Sequence, residues 1–235
     1  RWASLAKRAY LALAVALACA SAGAAVAAGA PETTMSDAPC PTDTTGHWAL
    51  APYVLQNDWA WRCRYAEDNK QWNAENPAKV VFIGDSITEG WVRADPALFT
   101  EGTVGRGLGG QTSAQLVVRF WQDVVALHPK AVHIMVGTND IAGNTGPSSL
   151  TDYQNAIRSM VTMARANGIR VVLGSVLPAD RFDWRKDMRP AAQVVVLNNW
   201  LRDYAAQEGL IYADYYGAMV GPNGELRADI GPDGV

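Results

Sequence analysis

The chain is poor in metal-binding side chains, with three histidines and three cysteines among 235 residues. It contains no H-E-x-x-H motif and no cluster of Cys and His at the spacings that hold zinc. Charged residues make up only 18% of the chain, the formal net charge is −3, and no basic stripe carries interleaved aromatic residues. Nucleic-acid-binding proteins usually have such a stripe. We therefore expect no metal, no cofactor and no nucleic-acid partner.

Two frequent signatures of nucleotide-binding and hydrolytic enzymes are also absent. The segment Gly105–Thr112 is rich in glycine, but its spacing is not G-x-x-x-x-G-K-[ST], and no lysine follows it. A phosphate-binding loop is therefore not predicted. No G-x-S-x-G motif occurs, so the nucleophile elbow of the α/β-hydrolases is not predicted either.

A long apolar run occurs near the start of the sequence, where Tyr10–Ala28 is an uncharged stretch of Ala, Leu and Val. Basic residues precede it and the small residues Ala28-Gly29-Ala30 follow it, as in a secretory signal peptide. We therefore predict a signal peptide over residues 1–30, a periplasmic or secreted protein, and no stable membrane insertion after cleavage. The alternatives are a transmembrane anchor, and lipidation at Cys19.

Removal of the signal peptide would leave two cysteines, Cys40 and Cys63. An even pair in an oxidising compartment is typically bridged, so these two residues are a possible disulfide. Two free thiols are the alternative, since spacing alone does not decide between them.

The remaining chain is long enough for one domain with a substantial core. Residues 31–78 form a linker rich in Pro, Thr, Asp and Ser, followed by an extension with four tryptophans, for which we expect one or two short helices. The tryptophans could stack on sugars or anchor the extension to the core. Residues 79–235 are predicted to form the main domain.

Short apolar runs alternate with helix-like segments in the main domain. The runs suit buried parallel strands, and they lie at Val80–Gly84, 131–136, 169–176 and 210–213, with a further edge strand near Thr103-Val104. The helix-like segments lie at about 113–127, 150–167 and 193–208. This alternation predicts βαβ crossovers, and hence a three-layer α/β/α sandwich with a five-stranded parallel sheet.

Three polar loops follow the predicted strands: Gly84-Asp85-Ser86, Gly105–Gln111 and Gly137–Asp140. Ligands of such sheets bind beyond the carboxyl ends of the strands, where all three loops lie. Ser86 would begin a helix among backbone N–H groups that can stabilise an oxyanion. The four glycines of the second loop would let the backbone approach a ligand closely. The first loop could also be only a helix cap and the third an ordinary Asn/Asp turn.

Taken together, the three loops resemble the sequence blocks of the SGNH (GDSL-type) hydrolases, over roughly residues 79–235. The resemblance implies a flavodoxin-like fold and a serine nucleophile, which here is Ser86. It also implies that the Ser86 N–H, the Gly110 N–H and the Asn139 side-chain amide form the oxyanion hole.

Two positions depart from the family pattern. Gly105 stands where the second block usually carries Asn. The last block of the family is D-x-x-H, which supplies the general base and the aspartate that orients it. Asp233 fits this aspartate, but the histidine would follow Val235, the last residue of the sequence. We therefore expect a fragment of an active enzyme, lacking its catalytic histidine and the C-terminal helix of the family, and inactive in this form.

The histidines within the sequence are poor substitutes for that base. His133 lies inside an apolar strand, His128 lies at the end of the same strand that faces away from the loops, and His47 lies in the N-terminal extension. The expected function is a secreted serine ester hydrolase acting on short-chain, carbohydrate acetyl or lysophospholipid esters. The alternatives are an acyltransferase and a non-catalytic protein that binds a sugar or a lipid.

We expect two further loops to shape the substrate pocket, Thr145–Ser149 and Pro178–Pro190. The second contains Phe182 and Trp184 and several basic residues. These basic residues could face an anionic group of a substrate or form a solvated, charged loop.

Overall fold

The structure is a computed structural model that describes Cys40 and residues 48–230. The predicted signal peptide, His47 and Asp233 lie outside the described residues. No helix within 48–230 combines the length and the hydrophobicity needed to cross a lipid bilayer.

A five-stranded parallel sheet forms the centre of the domain. Its strands, in chain order β1 to β5, are Val80–Gly84, Thr103–Gly107, Ala131–Met135, Arg170–Gly174 and Ile211–Ala213. Their order across the sheet is β2-β1-β3-β4-β5. The first strand pairs on both sides, so that Phe82 lies opposite Gly105 of β2 and His133 of β3. The sheet confirms the predicted fold class.

Eight α-helices connect or flank the strands within the described residues. In chain order, α1 to α8 are Pro52–Asn57, Ala66–Asn69, Ser86–Ala94, Ser113–Asp123, Thr138–Ala142, Leu150–Ala166, Ala191–Glu208 and Tyr215–Met219. Across the sheet, β2 lies on one side of β1, whereas each later strand is added on the other side, so the β1–β2 crossover runs in the opposite direction to the later ones. Right-handed connections therefore place α3 on one face of the sheet and α4, α6 and α7 on the other.

The main core lies between the sheet and the helices on the larger face. Apolar side chains of the inner strands, such as Val81, Ile83 and Val132, are fully buried there. They pack against helical side chains such as Leu116 and Ile157. Helix α7 ends where the sequence predicts, because Gly209 takes a left-handed conformation directly after it. Helix α4 ends at Asp123, before the predicted end near residue 127, and a 3-10 helix at Val125–Leu127 follows it.

Part of the predicted glycine loop is in fact strand. Residues Gly105 to Gly107 belong to β2, and the loop begins at Leu108. A Cβ atom on Gly105 would lie 2.2 Å from Val92 Cγ2, and one on Gly107 would lie 2.1 Å from the Glu89 backbone nitrogen. These two glycines therefore let α3 lie close to the sheet, which is a packing role and not the close approach to a ligand that the sequence suggested.

The N-terminal extension packs against the end of β2. It contains α1, a 3-10 helix at Arg62–Tyr65 and α2. Trp61 and Tyr65 are buried in a small apolar cluster with Leu108, and the Tyr65 hydroxyl donates to Gly107 O at 2.6 Å. A disulfide joins Cys40 to Cys63 in the structure. The extension is therefore attached to the segment that continues into the turn at Leu108–Gln111, called the glycine turn below.

Candidate active site

Ser86 is an exposed residue at the first position of α3, directly after β1. The preceding residue, Asp85, caps the helix by accepting a hydrogen bond from the Ile87 N–H at 3.0 Å. The first N–H groups of a helix have no partner within the helix and carry its positive dipole end. The Ser86 hydroxyl is thus accessible and lies where negative charge is stabilised.

Close packing fixes the turn between β1 and α3. A Cβ atom on Gly84 would lie 2.2 Å from Thr88 Oγ1 and 2.5 Å from Met135 O. Only glycine fits at this position without a shift of the backbone. This close packing therefore fixes the first turn of α3, and with it Ser86, relative to the sheet.

The glycine turn has one backbone N–H that no described residue accepts. Gly110 has φ of +83°, a conformation that favours glycine. The neighbouring N–H groups are all bonded: Leu108 N to Gly84 O at 3.1 Å, Gly109 N to Glu89 Oε2 at 2.9 Å, and Gln111 N to Leu108 O at 3.2 Å. The Gly110 N–H therefore remains available for a ligand.

Arg119 connects the ends of β1 and β2 to the glycine turn. This side chain on α4 is fully buried. Its guanidinium donates to four acceptors: Gly84 O at 3.1 Å, Arg106 O at 2.9 Å, Gln111 Oε1 at 2.7 Å and Asp123 Oδ2 at 3.0 Å. No sequence motif identifies this residue. Its signal was an Arg on the apolar side of α4, between Leu116 and Phe120.

Asn139 lies at the start of α5, at the carboxyl end of β3. Its Nδ2 donates to Gln111 O at 3.0 Å and lies 3.4 Å from Asp85 Oδ2. The next residue, Asp140, accepts hydrogen bonds from the backbone N–H and the hydroxyl of Ser113. The three predicted loops therefore meet, and direct hydrogen bonds link them.

A cavity of about 310 Å³ opens between these loops. Its lining includes the three residues that the sequence placed in the site, Ser86, Gly110 and Asn139. The remaining lining comes from other segments and consists of Trp48, Leu50, Asn144 and Trp184. Trp48 and Trp184 are 55% and 48% exposed, so both indoles present apolar surface at the mouth of the cavity.

On one side of the cavity, Trp184 is held in place by contacts with neighbouring residues. Trp184 stacks on Phe182 with ring centroids 4.8 Å apart, and Phe182 is fully buried. The indole N–H donates to Asn144 Oδ1 at 3.2 Å. Several of the basic residues of this loop pair locally, as Arg185 does with Asp187 and with the Ala142 carbonyl. The loop thus presents an aromatic wall to the cavity.

Two buried carboxyl groups lie beneath the site. Burial, with a smaller contribution from the charge of Asp140, raises the pKa of Asp85 to about 7. Burial raises the pKa of Asp140 to about 6, although its hydrogen bonds from Ser113 oppose that shift. Within the described part of the chain, no three His, Cys, Asp or Glu side chains come together in a way that could hold a metal ion.

Neither histidine of the described region lines the cavity. His133 is buried in the sheet beside Phe82, with its Nε2 3.0 Å from the Tyr215 hydroxyl, and burial lowers its pKa to about 4. His128 is exposed just before β3, at the amino end of that strand. These positions agree with the expectation that neither residue serves Ser86.

The sequence profile of the GDSL-like lipase/acylhydrolase family matches residues 82–235. No curated protein sequence matches the chain significantly. A protein of Bacteroides fragilis NCTC 9343 designated an acylhydrolase is 44% identical, with 76% of this chain and 88% of that chain covered and a TM-score of 0.72. A GDSL-like lipase from Bacteroides thetaiotaomicron VPI-5482 is 42% identical, with 75% and 88% covered and a TM-score of 0.71.

A more distant structure, the acetyl xylan esterase AlAXEase, is 22% identical, with 60% of this chain and 78% of its own covered and a TM-score of 0.52. This likeness shows a shared fold alone.

Proposed function

Because the chain belongs to the GDSL-like lipase/acylhydrolase family, we propose that it hydrolyses carboxylic esters through an acyl-enzyme on Ser86. One observation carries the proposal: an exposed serine at a helix start shares a cavity with a free backbone N–H at Gly110 and a side-chain amide at Asn139. A nucleophile and hydrogen-bond donors that line the same cavity are what acyl transfer requires.

In the proposed reaction, Ser86 Oγ forms a bond to the ester carbonyl carbon while a histidine takes the hydroxyl proton. The tetrahedral intermediate then collapses, and the alcohol leaves with that proton. Water next attacks the acyl carbon and gives a proton to the same histidine. The carboxylic acid is released, and Ser86 regains its proton.

We place the histidine three positions after Asp233, in the full-length protein, with Asp233 as the residue that orients it. The family's D-x-x-H spacing supports this assignment, and so does the distance of His133 and His128 from the cavity.

Three donors would receive the negative oxygen of the intermediate: the Ser86 N–H, the Gly110 N–H and the Asn139 Nδ2. A donor of this kind is worth about 3 kcal/mol in the transition state. The hydrogen bond from Asn139 to Gln111 O supports the assignment, because it holds the amide at the mouth of the glycine turn.

The cavity favours small acyl groups. Its volume of about 310 Å³ lies at the lower end of the ~300–1,000 Å³ typical of ligand pockets. The two indoles at its mouth offer flat apolar faces for the alcohol part of the substrate, and sugar rings stack well on such faces. We therefore propose acetyl or other short-chain esters, with a carbohydrate alcohol preferred over the long acyl chain of a lysophospholipid.

The test compares p-nitrophenyl acetate, butyrate and palmitate as substrates of the full-length native protein. We expect Ser86→Ala to lower kcat by about 10⁴-fold or more, and the acetate ester to give a higher kcat/KM than the palmitate. The loop at Thr145–Ser149 was predicted to shape the substrate pocket, but none of its residues lines this cavity. Ser148→Ala, which alters an exposed serine of that loop, is therefore the matched control and should retain full activity.

Two outcomes would contradict the proposal. Activity that survives Ser86→Ala would overturn the serine mechanism. Tight binding of an acetylated sugar without turnover by the wild-type protein would indicate a binding protein instead.

A further inference from the structure

Asn144, in the turn after α5, joins three segments through one side-chain amide. Its Nδ2 donates to Asn139 Oδ1 at 2.8 Å and to Gly110 O at 3.1 Å, and its Oδ1 accepts from Trp184 Nε1 at 3.2 Å. Gly110 and Trp184 are 34 and 40 residues away in sequence. None of these three bonds is made within the turn itself, so a role confined to stabilising the turn does not account for them.

The polarity of these bonds fixes the orientation of each amide in turn. An indole N–H can only donate, so Trp184 requires an acceptor, and the Oδ1 of Asn144 faces it. The Nδ2 of Asn144 must then face Asn139 and Gly110. Because that nitrogen can only donate, Asn139 must turn its own Oδ1 toward Asn144 and its Nδ2 toward Gln111 and the cavity.

The orientation of Asn139 has a direct chemical consequence. A primary amide can exchange its oxygen and nitrogen by a half-turn about the last side-chain bond. In the observed orientation Nδ2 donates to Gln111 O at 3.0 Å and, more weakly, to Asp85 Oδ2 at 3.4 Å, and the hydrogen of the longer contact would turn to an oxyanion in the cavity. In the reversed orientation the amide would present an oxygen instead, which would repel the negative charge of an oxyanion.

The conformation of Gly110 also depends on Asn144. Gly110 has no side chain to pack, and its positive φ is one of many conformations open to glycine. The hydrogen bond from Asn144 to Gly110 O holds this residue from outside the turn. This bond fixes the peptide unit between Gly110 and Gln111 and so limits the ψ angle of Gly110, through which the Gly110 N–H is connected to it.

We infer that Asn144 is a positioning residue that orients the oxyanion donors Asn139 and Gly110 and is itself oriented by Trp184. The inference rests on the proposed ester hydrolysis. It also connects the aromatic wall that would contact the alcohol part of the substrate to the donors that would act on the carbonyl.

The test measures kcat and KM of the full-length protein for p-nitrophenyl acetate with Asn144→Asp. A carboxylate still accepts from Trp184 but cannot donate, so Asn139 should reverse. Loss of one oxyanion donor lowers kcat by about 10²- to 10³-fold, and we expect a loss of that size with KM nearly unchanged. In an Asn139→Ala background the same change should cost less than about 10-fold, because the donor is already absent.

Thr145→Val is the matched control, because Thr145, although predicted to shape the substrate pocket, does not line the cavity at Ser86. Thr145 Oγ1 lies 3.1 Å from Thr112 Oγ1, so this change removes a hydrogen bond between the same turn and the segment after Gly110 without touching Asn139. We expect a fall in Tm comparable to that of Asn144→Asp, with kcat within about threefold of wild type.

The outcomes separate this inference from the proposed function. Activity of the wild type that does not depend on Ser86 overturns both. Activity that depends on Ser86 and is unchanged by Asn144→Asp overturns the positioning role alone, and so does an equal loss in both backgrounds. If Asn144→Asp does not fold, Trp184→Phe is the second variant, because it keeps an aromatic ring at this position and removes the indole N–H. A kcat for Trp184→Phe equal to wild type would then overturn the inference.

Discussion

Asp85 has two roles that depend on different properties of its side chain. As the cap of α3 it needs an oxygen that accepts from the Ile87 N–H, which an amide also provides. As a buried carboxyl it resists ionisation, with a pKa of about 7. Asp85→Asn therefore separates the two properties, because it keeps the cap and removes the titration.

We predict that Asp85→Asn becomes progressively more stable than the wild type as the pH rises from about 4 to about 7. In this window the unfolded Asp85 is ionised while the folded one remains protonated. The folded state thus binds more protons, and the free energy of unfolding of the wild type falls with rising pH, by up to about 1.4 kcal/mol per pH unit. Urea unfolding midpoints at pH 4 to 8 measure the difference.

The comparison between variants is needed because other groups titrate in the same range. Asp140, with a pKa of about 6, acts in the same direction. His133, with a pKa of about 4, acts in the opposite direction, since its unfolded form is protonated up to about pH 6.5. A pH-independent difference between Asp85→Asn and wild type would contradict the raised pKa of Asp85.

At the scale of elements, the site depends on how β1, β2 and α4 are joined. Backbone carbonyl groups at the ends of β1 and β2 can accept further hydrogen bonds where the sheet ends. Arg119 donates to two of these carbonyls, Gly84 O and Arg106 O, and to the Gln111 side chain beyond them. A single buried cation on α4 thus fixes the relative position of Ser86 and the glycine turn.

We predict that Arg119→Met lowers the free energy of unfolding by about 3–5 kcal/mol, because it leaves Asp123 as a buried charge without its ionic partner. We also expect a fall in kcat, since Gln111 loses its donor. Arg202→Met, on the exposed side of α7, is the control and should change stability by about 0.5 kcal/mol or less. Chemical denaturation measures both, and equal stability of the two variants would contradict the role of Arg119.

At the scale of the whole molecule, we propose that the protein is exported and that residues 1–30 are removed. The Ala-rich run at Tyr10–Ala28 supports this proposal, and the disulfide between Cys40 and Cys63 is typical of oxidising compartments. We predict that the native gene, expressed in a bacterial host, yields protein in the periplasm or medium whose N-terminus lies near residue 31. N-terminal sequencing and thiol titration check this. A cytoplasmic protein with an intact N-terminus and two free thiols would contradict it.

Much of the architecture was predictable because its signals are local. Apolar β-branched runs that end in glycine identify buried strands, and helix stops such as Glu208-Gly209 precede them. The boundary between β2 and the glycine loop was not predictable. Whether Gly105 and Gly107 are strand or loop depends on α3, which lies against them across the sheet.

Some residues of the candidate site were also predictable from the sequence, and others were not. Ser86, Gly110 and Asn139 each follow a strand, and parallel topology brings such positions to one edge of the sheet. Asn144, Arg119 and the two tryptophans at the cavity carry no motif, since their side chains act on segments tens of residues away. Their contribution appears only when those segments are in contact.

The sequence by itself determined the fold class, the three loops and the family, because hydrophobic periodicity and motif order are properties of neighbouring residues. Only the tertiary structure decided which N–H of the glycine turn is left without an acceptor among the described residues, which way the Asn139 amide points, and which aromatic side chains line the cavity at Ser86. Those features depend on hydrogen-bond polarity and packing between distant segments, which no local pattern encodes.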